Sequence, residues 1–122
     1  MRWLAKAALQ RSLGALPQGE RLNYVFQRRV LRSLPAGDAA LRRKFSRALQ
    51  HLGVYREHGP GVGPAEACFY EFGAGWDLAV PLAYAMLGVG RQVLVDIRPS
   101  ARLELVNDSI ASFERLRADE AG

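Results

Sequence analysis

The residues with the clearest chemical potential form one short run, Glu71-Phe72-Gly73-Ala74-Gly75-Trp76-Asp77, followed later by the carboxylate of Asp96. Two glycines just past a buried apolar stretch (residues 67–72) let the chain turn tightly and bring its backbone close to a ligand without side-chain obstruction. Asp96 lies 21 positions beyond Gly75, in a second apolar stretch over residues 92–97. A carboxylate at the end of such a strand can accept hydrogen bonds from both hydroxyls of a ribose. The spacing therefore predicts a floor and a ribose hook for a nucleotide-containing ligand.

The turn itself discriminates between nucleotides. A dinucleotide site usually continues to a third glycine, so that a pyrophosphate can rest on the following helix N-terminus; that position is Leu78. Glu71, two residues before the first glycine, adds negative charge that repels a diphosphate and suits a cationic, sulfonium-bearing cofactor. The residues thus favour S-adenosylmethionine over NAD. An NAD- or FAD-binding Rossmann half-domain is the enzymatic alternative, with Asp96 in its favour and the missing glycine against it.

Glu-Phe-Gly-Ala-Gly with the downstream Val-Leu-Val-Asp resembles motif I and the acidic strand end of class I S-adenosylmethionine-dependent methyltransferases. The resemblance implies an α/β, Rossmann-like methyltransferase fold, with a seven-stranded, mostly parallel sheet and helices on both faces. It implies that Gly73, Ala74 and Gly75 run beside the methionine part of the cofactor, that Asp96 holds the ribose, and that Glu71 shapes the same pocket. In this family, helices before the first strand often cover the site and help define the substrate, which would be the task of residues 2–52. The chain departs from the pattern at Trp76 and Asp77, where many members have a further glycine, and at Pro81, which restricts where the helix can start.

The resemblance covers residues 66 to about 117 and matches only the first two strands and helices of the family's sheet. N-terminal helices followed by an incomplete parallel sheet are therefore expected. Such a sheet has an unpaired edge, so the reading is of a truncated domain, or of one that self-associates or takes strands from a partner. The methyl acceptor and any catalytic residue are unassigned. Methyl transfer from a sulfonium needs mainly alignment of an acceptor lone pair, so no base is required in principle.

The elements that must hold these residues are delimited by their own start and stop signals. An amphipathic helix is predicted over residues 2–13, closed by Gly14 and Pro17. A second runs from about residue 20 to 34 on the stripe Leu22, Phe26, Val30 and Leu34, and Pro35 ends it. Asp38 can cap a third, whose buried face is Leu41, Phe45, Ala48, Leu49 and Leu52, with Gly53 as its exit. Residues 59–64, with two prolines and three glycines, mark a boundary between a helical N-terminal cap region (1–58) and the βαβα segment (65–122). Within that segment, strands over 67–72 and 92–97 flank a helix over 79–87, long enough for a parallel crossover. A last helix begins at a Ser100 cap and buries Leu103, Val106, Ile110 and Phe113.

Composition bounds the rest. Of 122 residues, 49% are apolar and 24% charged, which suits a globular chain. Charged residues interrupt every apolar run short of a membrane span, and Gln10, Arg11 and Ser12 break the core of any secretion signal. One cysteine, Cys68, permits a reducing compartment; cytoplasm is the simplest expectation, and the residue itself reads as core. Up to His58 the chain carries twelve Lys and Arg against three acids, and from Gly59 onward five against nine. The basic half offers a non-enzymatic alternative, a helical module for nucleic acid or a membrane surface. Arg28, Arg29, Arg42, Arg43 and Lys44 lack interleaved aromatic residues, however, and read more simply as solvated helix faces, so nucleic acid is not the expected partner. His51, His58 and Glu57 lack the cluster a metal requires, so no metal is expected. Trp76 can stack on a cofactor or simply pack.

Overall fold

The computed structural model describes residues 4–121 apart from 6, 9, 10, 13, 14, 16 and 30–33. Its contacts divide into two units, Met1–Pro35 and Ala36–Gly122. In the first, α1 spans Gly19–Arg29, with Glu20 in its first turn and Arg28 and Arg29 in its last, each sign opposing the helix dipole. The Arg28 guanidinium donates to the Tyr24 hydroxyl at 2.6 Å and lies 5.9 Å over its ring. Of the helix expected over residues 2–13, residues 4, 5, 7, 8, 11 and 12 are helical and the others lie outside the described residues; so do residues 30–33 of the expected continuation of α1, and Leu34 is in a bend.

The second unit contains α2 (Asp38–His58), β1 (Cys68–Phe72), α3 (Ala79–Met86), β2 (Arg91–Val95) and α4 (Leu103–Ala121). The two strands pair in parallel, with Cys68 opposite Arg91 and Phe72 opposite Val95. This is an α/β arrangement in which α3 makes the crossover. Ala79 and Ala83 are fully buried on α3, and their small side chains let Leu41 and Ala48 of α2 and Phe113 and Leu116 of α4 close around them. The rings of Phe45 and Phe113 meet across the α2–α4 seam at 6.2 Å. The helices cover the sheet face bearing Phe69, whose ring meets Tyr55 of α2 at 5.0 Å and Tyr84 of α3 at 5.4 Å. On the other face Tyr70, Phe72, Val93 and Val95 are exposed.

Several expectations need correction. Helix α2 does not leave at Gly53 but runs on to His58, and Gly59, whose amide donates to the Tyr55 carbonyl at 2.7 Å, is the stop. A mid-helix glycine costs about 1 kcal/mol relative to alanine; the added turn carries Tyr55, which packs on Phe69, and the packing prevails. Leu49 is exposed rather than buried. Asp38 is not the cap; Gly37 is, and the Asp38 carboxylate instead accepts from Arg115 of α4 at 2.8 Å. Residues 59–64 form a loop inside the second unit, which holds α2 together with the two strands. Tyr55 donates its hydroxyl to the Val62 carbonyl, and the Gly90 amide donates to the Pro64 carbonyl. A Cβ at Gly90 would collide with the Ala65 carbonyl, so this close approach requires glycine.

Strand β2 ends at Val95, leaving Ile97 outside it and almost fully exposed. Ser100 does not cap α4, since its hydroxyl bonds to the Arg98 carbonyl. The buried stripe of α4 is also rotated from the expected one: Leu105, Ser109, Phe113 and Leu116 are buried, whereas Leu103 is 77% exposed and Ile110 also faces out. Both stripes satisfy the helical spacing, and contact with α2 and α3 selects one of them.

The α4 orientation makes a direct prediction. Leu105→Ala removes a side chain that is fully buried and should cost about 2–5 kcal/mol in urea unfolding. Leu103→Ala should stay within about 0.5 kcal/mol of the parent. Equal losses would overturn the assigned face.

Candidate functional site

The run Glu71–Asp77 leaves the carboxyl end of β1 and folds into a turn. The Gly73 amide donates to the Val95 carbonyl at 2.8 Å, carrying the ladder one step past Phe72 before the chain turns away. Gly73 and Gly75 adopt φ of 76° and 79°, a left-handed conformation that side chains rarely tolerate. A Cβ at either glycine would meet no atom within 4 Å, so backbone conformation and not crowding demands glycine, and the space above the turn is open. Because Phe72 pairs with Val95, Gly73 and Asp96 follow from the same end of neighbouring strands. Asp96 is exposed there. Ala74 is half-buried between the two glycines. Gly73, Ala74, Gly75 and Asp96 thus share the carboxyl end of the two strands, the place where a nucleotide floor and ribose hook would lie.

Beyond the turn, Leu78 takes φ 48° and ψ 28°, a left-handed non-glycine residue of the kind that holds local strain. It sits where a dinucleotide fingerprint would place its third glycine. Its carbonyl accepts from the Leu82 amide at 2.9 Å, beginning the α3 ladder. Pro81 is the third residue of α3, within the first turn, where its missing N–H leaves no helix bond unmade. The Trp76 carbonyl accepts from the Arg102 amide at 2.9 Å, tying the loop to the start of α4.

Two residues shape this site through a pairing that the sequence does not reveal. Asp77 is buried, its Oδ1 accepts from the Ala79 amide at 3.1 Å, and both its oxygens lie within 3.3 Å of Lys44 Nζ. Lys44, whose sequence setting suits a solvated face, reaches across 33 positions to fix the loop to α2. The signal available in the sequence was an Asp two residues before a helix, since such a side chain bonds the first helical amides. Its cationic partner could not be read, because the pairing depends on how α2 lies against α3.

Glu71 projects on the helix-covered side of β1, and its Oε2 is buried with no hydrogen-bond partner. Desolvation by burial raises its pKa above the usual carboxylate value, and the nearby Lys44 charge partly offsets this. The ammonium of Lys44 thus pairs directly with Asp77 and acts on Glu71 only through space. Beside Glu71 a cleft of about 590 Å3 opens, bordered by His51, Tyr55, Phe72, Val80 and Tyr84. The Tyr84 hydroxyl and His51 Nδ1 share a hydrogen bond of 2.7 Å, with the imidazole tautomer setting which group donates. Burial, and then the Glu71 charge, raise the Tyr84 pKa. His58 lies 3.6 Å from Glu57. Among the described residues no three His, Cys, Asp or Glu side chains gather as a metal site would need. Compared with known protein families, curated proteins and solved structures, the chain matches none.

The raised Glu71 pKa carries a sign that can be measured. The native state holds the Glu71 proton more tightly than the unfolded chain does, so its contribution to stability is full below the usual 4.5 and is lost as pH rises through the native value. Glu71→Gln, which cannot ionise, should therefore melt higher than the parent at neutral pH. The difference should shrink as the pH is lowered below 4.5. A difference that stays constant across this range in thermal melts would show that Glu71 is not desolvated.

Proposed function

We propose that the second unit is the cofactor-binding portion of an S-adenosylmethionine-dependent methyltransferase, acting on an acceptor that remains unidentified. The observation that carries this reading is the shared strand end. Gly73 and Gly75 turn left-handed under open space while Asp96 emerges from the adjacent parallel strand. A ribose held by Asp96 would place the rest of the cofactor over the glycine turn.

Two further features favour a sulfonium cofactor over a dinucleotide. Leu78 occupies the position of the third glycine, removing the bare helix start on which a pyrophosphate would rest. Glu71 and Asp77 set two carboxyl groups against the single ammonium of Lys44 beside the turn, a surrounding that suits a sulfonium better than a diphosphate. On this reading Glu71, Gly73, Ala74, Gly75 and Asp96 are the cofactor-binding residues, and Asp77 with Lys44 positions the loop. No residue is given a catalytic role. No helix among the described residues is long and apolar enough to cross a membrane.

Calorimetric titration of the folded chain with S-adenosylhomocysteine and, separately, NAD tests the proposal. Saturable binding of the first and none of the second is expected. Asp96→Asn should weaken S-adenosylhomocysteine by roughly tenfold, the scale of a lost charge-assisted hydrogen bond. Binding of NAD alone would replace this reading with the dinucleotide one, and binding of neither would remove the nucleotide assignment.

A further inference from the structure

Within the second unit the two sides of the sheet differ in kind. Helices α2 and α3 cover the side that carries Phe69, and Gln92 points the same way, its amide donating to the Pro81 carbonyl at 2.9 Å. Strand alternation sends Cys68, Tyr70 and Phe72, with Arg91, Val93 and Val95, to the opposite side. The parallel register arranges these six in rows, with Cys68 beside Arg91, Tyr70 beside Val93 and Phe72 beside Val95. Tyr70 is 67% exposed, Phe72 78%, and the two valines 39% and 42%.

Parallel sheets are ordinarily buried on both faces, and a contiguous exposed apolar patch marks a place where something docks. The composition of the six agrees with that. Aromatic and arginine side chains are enriched in interface cores, from which Lys, Asp and Glu are depleted, and this face holds none of those three. Its size decides what it can support. At these exposures the two rings offer roughly 300 Å2, and with the valines and the Arg91 stem one copy offers roughly 500 Å2. Two copies would bury about 1,000 Å2 in total, which is the least that a specific interface needs.

We propose that this face is the interface of a homodimer, in which two sheets pack face to face about a two-fold axis with their strands antiparallel. Each copy supplies the layer that the other lacks. A two-fold contact uses the same patch on both copies, so the patch must complement itself. Arg91, at the amino end of β2, is the one charged residue of the six. Antiparallel strands set the two guanidiniums at opposite ends of the contact, whereas parallel strands would bring them together. Pairing at a free strand edge gains less, because water already satisfies the edge groups and Tyr70 and Phe72 would stay in solvent. The proposal stands independently of the methyltransferase reading, because it uses neither the glycine turn nor Asp96.

Sedimentation equilibrium of the full chain tests it. The mass should rise from one copy to two as the concentration passes through about the micromolar range, as suits an interface of the smallest specific size. Phe72→Glu should weaken association by about tenfold or more, since it would bury an unpaired charge in the contact. Leu103→Glu adds the same charge at a residue on α4 that is 77% exposed, and should leave association unchanged. Hydroxyl-radical footprinting of the parent chain gives a reading that does not depend on how a variant folds. Oxidation of Tyr70 and Phe72 should fall as the dimer forms, while that of Leu103 stays constant. A single copy at millimolar concentration, a dimer that survives Phe72→Glu, or equal oxidation of Tyr70 and Phe72 in both states would overturn the proposal.

Discussion

A buried carboxylate joins the separate pieces of the second unit. Asp77 accepts the first amide of α3 and holds Lys44 of α2 within ion-pair distance. One side chain thus starts the crossover helix and clamps the glycine turn to the helical layer. Its own burial is tolerable because both oxygens are engaged; an unpaired charge at this depth would be far more costly than an unmade surface contact. The position of α3 follows, and with it the parallel pairing of β1 and β2. Once those strands are in register, Gly73 and Asp96 necessarily emerge together.

The remaining packing is a consequence of side-chain size along α3. Ala79 and Ala83 present little bulk, so α2 and α4 approach closely and meet one another through Phe45 and Phe113. Larger residues there would force the helices apart, because well-packed interiors resist added volume. The same closeness leaves Met86, at the end of α3, bordering a hollow that the neighbouring helices do not fill. The helical layer and the strand-end turn are therefore two faces of one packing solution.

Around the turn, charge is unevenly compensated. Lys44 is committed to Asp77 at hydrogen-bond distance, while its influence on Glu71 is felt only through space. Glu71 consequently carries a desolvation cost, and a buried oxygen lacks a partner. Strain at Leu78 adds to this local cost. Costs of this sort concentrate at functional sites, where geometry suited to a ligand takes precedence over stability.

The sequence by itself determined the order strand, glycine turn, helix, strand, helix and the residues at its turning points. Those signals are local: left-handed glycines, a proline tolerated in a first turn, apolar runs of strand length. It also marked Gly73, Gly75 and Asp96 as candidates that could share one end of a sheet. Tertiary structure decided what local rules leave degenerate. It chose Leu105 over Leu103 on α4, carried α2 through Gly53 so that Tyr55 could reach Phe69, and turned Lys44 from a surface cation into the partner of Asp77. In each case helical periodicity permitted more than one answer. Contacts between residues distant in sequence supplied the free energy that selected one.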